Sequence, residues 1–109
     1  MAIPEFIGVG PHRYDIAYDK DIGERGANGE TYVNACRIAI HPGMPFSREQ
    51  QTVLHEVLHA IWHNTDLAVT ESGLQEHEEQ VISALVPGLL AALQQNAELY
   101  DYLLPGESG

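Results

Sequence analysis

The sequence predicts a single α+β domain, on three observations. Residues up to about Pro45 favour strands, those beyond it favour helices, and 109 residues suffice for one modest core. The expected architecture is a short antiparallel β-ribbon or sheet over residues 1–45. It packs on a central helix, with two or three further helices completing a helical part over 46–104.

The strands come first. In His12–Asp19 (HRYDIAYD), Tyr14, Ile16 and Tyr18 fall on one side of a period-two pattern, and Thr31–Ile40 (TYVNACRIAI) is rich in residues that suit a pleated surface. The intervening GERGANGE carries Asn28-Gly29, a pair that favours a tight turn with positive φ. Arg37–His41 is the expected last strand, ended by His-Pro-Gly-Met-Pro because proline cannot donate to a ladder. Cys36, the single cysteine, is expected at a strand position among Val33–Ile40 as inert packing. Its being single excludes an intramolecular disulfide and fits a reducing compartment.

The helices follow. Ser47 and Gln50 form an S-x-x-Q capping box for a helix to about His63. Its apolar residues spread over more than one face, which predicts enclosure by the sheet on one side and helices on the other. Ser72 and Gln75 form a second box, for a helix to about Val86. Pro87 should break it before a third helix over Gly88–Gln95. ELYDYLL suits a short fourth helix packed down by Leu99, Tyr100, Leu103 and Leu104.

Charge narrows the function. Sixteen acidic against five basic side chains give −11, which repels nucleic acid and anionic membranes. No apolar run reaches the length of a membrane span, and the start lacks a basic region followed by an apolar stretch. The expectation is an unprocessed cytoplasmic protein that binds neither membrane nor nucleic acid.

The chemistry is concentrated in LHEVLHAIWH, residues 54–63. On a helix His55 and His59 project from one face a turn apart, close enough to share a zinc ion, and two buried imidazoles need such a partner. Glu56 can take a proton from a water at that metal and pass it to a leaving amine. A catalytic zinc needs a third protein ligand. His63 lies about 6 Å beyond His59 along the helix axis, too far to close the same tetrahedron. In QEHEEQVISALV, at about 100° per residue, Leu74, Val81, Ile82 and Leu85 average to a direction within about 20° of Glu78. Glu78 is therefore the expected third ligand, with His77 and Glu79 as alternatives.

HEVLH with eighteen residues between His59 and the glutamate Glu78 resembles the gluzincin class of zinc metallopeptidases. The short chain, the ribbon leading into the zinc helix and EEQVISALVP look like the small ImmA/IrrE-type and phage-encoded zincin-like peptidases, over about Val33–Pro87. Val81-Ile82 stands where an alanine-asparagine pair is usual in the ImmA/IrrE family. The resemblance implies zinc on His55, His59 and Glu78, with Glu56 as general base. It also implies that a protein or peptide substrate docks on an edge strand at Arg37–His41, with Tyr32, His41, His63 or His77 available to stabilise the oxyanion. A zinc-stabilised binding or regulatory module without useful proteolysis is the alternative. A DNA-associated protease of the SprT type, with His77 as ligand, fits the acidic charge poorly.

Overall fold

The computed structural model describes residues 2–64 and 74–106, and it is α+β. The strands are β1 (Phe6–Val9), β2 (His12–Tyr18), β3 (Gly29–Tyr32) and β4 (Arg37–Ile40). The helices are α1 (Lys20–Glu24), α2 (Phe46–His63), α3 (Glu78–Gln95) and α4 (Ala97–Leu103), with a 3-10 turn at Leu74–His77 before α3.

The sheet is mixed, in the order β1-β2-β4-β3. β1 pairs antiparallel with β2 across a turn where Gly10 has φ 58°, a conformation glycine adopts without steric cost. β2 and β4 run parallel, Ile16 beside Ile38, and β3 pairs antiparallel with β4, Thr31 beside Ile38. This corrects the antiparallel ribbon. Asn28-Gly29 is no hairpin turn, because α1 and β3 together carry the chain from β2 to β4. The tight turn falls instead between β3 and β4, where Cys36 takes φ 50° and its N–H donates to the Val33 carbonyl, so Cys36 is not in a strand.

The edge-strand expectation is also corrected. Arg37–Ile40 is paired on both sides, so it offers no free edge near Arg37–His41; among the described residues the unpaired edge on this side of the sheet belongs to β3. Burial agrees with the interior position. Ile38, Ala39 and Ile40 are all buried, whereas β2 alternates buried Tyr14 and Ile16 with exposed Arg13 and Asp15.

α2 lies between two apolar clusters. Ala60, with Val53 and Val57, meets the sheet at Val9, Tyr14, Ile16, Ile38 and Ile40, while Trp62, with Leu54 and Leu58, meets Ile82 and Val86 of α3. The Tyr18 hydroxyl donates to Glu49 Oε2 at 3.0 Å, a further tie between β2 and α2. Ile38 is fully buried at the centre of the first cluster, so Ile38→Ala is expected to cost about 2–5 kcal/mol by chemical denaturation.

Several helix boundaries differ from expectation. Pro45 is the N-cap of α2 and no side chain caps it, so Ser47 lies inside the helix rather than at its head. The second box rests on Ser72, outside the described residues. α3 continues through Pro87: Val86 packs against α2, and Leu90 and Leu93 share an apolar groove with Val53 and Leu54, so packing on both sides outweighs a penalty of about 3 kcal/mol. α4 forms but does not pack down. Leu99, Tyr100, Leu103 and Leu104 are all at least 42% exposed, because the seven-residue α4 follows α3 directly and no other described element packs closely over it. No helix among the described residues is long and apolar enough to cross a membrane.

Candidate metal centre

Helical spacing sets the first two donors. His55 and His59 stand one turn apart on α2, ring centroids 4.8 Å apart and edge to face, with their Nε2 atoms 3.1 Å from each other. α3 supplies the third. Glu79 Oε1 is 2.8 Å from His55 Nε2, and Glu79 Oε2 is 2.6 Å from His59 Nε2. Donor atoms of His55, His59 and Glu79 all lie within 4.8 Å of one another. Ser83, one turn further along α3, donates to Glu79 Oε1 at 3.1 Å and steadies that carboxylate.

Glu78 occupies a different place from the one expected. Its Oε2 is 2.5 Å from Nδ1 of His59, the nitrogen facing away from the donor group, and 3.1 Å from Nε2 of His63. A carboxylate there fixes the orientation of His59. Leu74 and Leu85 are two of the four apolar residues whose helical phase points to Glu78. Leu74 belongs to the 3-10 turn before α3, outside the phase of that helix, and Leu85 is 56% exposed and so is not on the inward face. Ile82 and Val86 do, and Glu79, Ile82, Ser83 and Val86 share one stripe of α3 at i, i+3, i+4 and i+7. The Glu78 side chain is the more buried of the two, 14% exposed against 67% for Glu79. Burial thus singled out the carboxylate that supports an imidazole, not the one that faces the opening.

Glu56 sits beside both histidines, on the side of α2 covered by β3. Thr31 Oγ1 donates to it, with Oε1 at 2.7 Å and the Glu56 carbonyl oxygen at 3.0 Å. Burial holds its carboxyl above the ordinary carboxylate range, opposed by the Thr31 hydrogen bond and by the charges of His59 and His55. Burial pushes the His59 imidazole down, but Glu78, Glu56 and Glu79 outweigh it and raise the net value. Gly29 is required for this approach. A Cβ there would meet Glu56 Cγ at 2.8 Å, Thr52 Cγ2 at 3.0 Å and Glu56 Oε2 at 3.1 Å. Gly29→Ala is expected to displace Glu56 and lower stability by about 1–3 kcal/mol, read from denaturation midpoints.

Two clefts flank Glu56. One, of about 300 Å³, is lined by Asn28, Gly29, Arg48, Gln51, His55 and Glu56 among others. The other, of about 260 Å³, is lined by Glu30, Thr31, Glu56, His59 and His63. Neither family models, curated proteins nor solved structures match this chain. The reading of the centre therefore rests on its own residues.

The four candidates for oxyanion stabilisation separate clearly. His63 lines the second cleft and is held by Glu78. Tyr32 is turned to Glu30 and Arg25, His41 lies over Gly23 with Nδ1 buried and unpaired among the described residues, and His77 is exposed at the head of α3. Thr31, Ser83 and Gly29 were not singled out by sequence reasoning. Thr31 acts on a residue distant in sequence and Gly29 through the space it leaves free, so no local pattern marks either for this role, whereas the i, i+4 spacing of Glu79 and Ser83 on α3 is a local signal.

Proposed function

We propose that this chain is a small zinc-dependent metallopeptidase of the HExxH, gluzincin-like type, hydrolysing peptide bonds in a protein or peptide in the cytoplasm. The observation that carries the reading is the convergence of His55 Nε2, His59 Nε2 and the Glu79 carboxylate beside a buried Glu56. The donor set suits zinc: two imidazoles and one carboxylate are a catalytic zinc combination, and a tetrahedron with ligand distances of about 2.0–2.1 Å has donors about 3.3 Å apart. Glu79 takes the third position and Glu78 the supporting one, in place of the His55, His59 and Glu78 triad that periodicity favours.

When bound, zinc supplies Lewis-acid polarisation of a carbonyl and lowers the pKa of water. The remaining work falls to the chain. Glu56, held by Thr31, takes the proton of the attacking water and delivers it to the leaving amine. Glu78 keeps His59 turned with Nε2 toward the donor group, and His63 stands in the adjoining cleft as a donor for charge developing on the carbonyl oxygen. The open edge of β3 offers backbone groups to an extended peptide running between the two clefts.

The test is metal analysis of protein purified without added metal, followed by digestion of an unstructured protein. About one zinc per chain, with cleavage lost on chelation and restored by zinc, is the expected result. No metal after incubation with zinc would overturn the reading. A zinc-stabilised regulatory or binding module is favoured by one observation, that α2 and α3 are joined by a small buried cluster of Trp62, Ile82 and Val86, which a shared metal would reinforce. That second reading expects zinc and a melting temperature lowered by chelation, with no cleavage.

A further inference from the structure

Arg48 stands where the metal reading leaves it without a task. Arg48, Gln51, Thr52 and His55 recur at helical spacing along α2 and line the first cleft. The other arginines are engaged: Arg13 pairs with Asp15 at 3.2 Å, Arg25 pairs with Glu30 at 3.0 Å, and Arg37 lies over the Tyr32 ring at 4.9 Å. Among the described residues no carboxylate pairs with Arg48, in a chain with sixteen acidic and five basic side chains. A guanidinium in a cleft wall with no carboxylate partner among the described residues is available to an incoming anion.

The rest of the centre explains why that anion needs it. Glu56, Glu78 and Glu79 bring three carboxyl groups together, one more negative charge when ionised than a bound zinc would offset, so a substrate carboxylate gains from a separate cation further along the cleft. Arg48 is seven residues before His55 on the same face, about 10 Å along the helix, a distance spanned by about three residues of extended peptide. The guanidinium fork matches a carboxylate bidentately. Asn28, Gln51, Thr52 and Ser83 add uncharged polar groups to the lining, beside Glu56 and the apolar Ala27 and Val86.

We propose that Arg48 is a specificity-determining residue that binds a carboxylate of the substrate, so that the chain prefers peptides with a free C-terminus or an acidic side chain about three residues from the bond cut. The inference deepens the peptidase reading and rests on it. Its test is binding rather than turnover. Full-length Glu56→Gln protein, loaded with zinc, is titrated by calorimetry with an acidic hexapeptide, with its C-terminally amidated form, and with a form whose acidic side chains are replaced by their amides. One amide form is expected to bind about tenfold more weakly, which identifies the source of the carboxylate. Adding Arg48→Ala should collapse that ratio to near one, and Arg48→Lys should restore part of it; zinc content equal to the parent shows that each variant is folded. Equal or absent binding of all three peptides, or a preference that survives Arg48→Ala, overturns the inference. Zinc uptake without a preference removes the inference alone, whereas failure to take up zinc removes the peptidase reading with it.

Discussion

Glu79→Ala is expected to weaken zinc binding by more than about a hundredfold, whereas Glu78→Ala weakens it within the roughly 10–100-fold range of residues that orient a ligand. The difference follows from which imidazole nitrogen each carboxylate meets. Glu79 spans both Nε2 atoms, so its loss removes a donor, while Glu78 meets Nδ1 of His59 and its loss leaves all three donors present but one of them poorly held. Competition with a chromogenic chelator reads both constants. A larger loss in Glu78→Ala than in Glu79→Ala would return Glu78 to the ligand position.

The second large effect is on turnover. Glu56→Gln keeps the size and the Thr31 contact of the side chain but cannot accept a proton, so hydrolysis should fall by about 10²–10⁴-fold with zinc content unchanged. Activity equal to the native chain would remove Glu56 from the base role.

The same variant carries a separate expectation for the metal-free protein. Because burial raises the carboxyl in the folded state, the fold binds that proton more tightly than the unfolded chain does. Ionisation of Glu56 therefore weakens the fold as pH rises from the ordinary carboxyl value, about 4.3, through the raised one. Chelator-treated Glu56→Gln should melt above the native chain at neutral pH, with the gap closing as pH falls below about 4. A lower melting temperature at neutral pH would contradict this account of Glu56.

Legibility in the sequence tracks the range of the interactions. The α2 helix, its two-sided enclosure, the β2 alternation at Tyr14 and Ile16, and the pairing of His55 with His59 are set by neighbours within a turn or two, where hydrophobic period and residue spacing speak directly. Capping was less informative. Ser47 has the right sequence context for an N-cap, yet the chain leaving β4 through Pro42 and Pro45 puts the N-cap two residues earlier, at Pro45.

The sequence by itself determined the α+β class, the separation of strand-rich and helical parts near Pro45, and a histidine pair with an adjacent glutamate on one helix, because each is a local property of spacing and side-chain type. Only the tertiary structure decided that β2 and β4 run parallel, that β4 is interior and β3 at the edge, and that Glu79 meets the Nε2 atoms of His55 and His59 while Glu78 meets Nδ1 of His59 and Nε2 of His63. Strand order depends on pairings between distant segments that carry no mark in either one. Which glutamate meets the histidines depends on where α3 begins and how Ile82 and Val86 seat it on α2, and a shift of one residue turns a helix by about 100°.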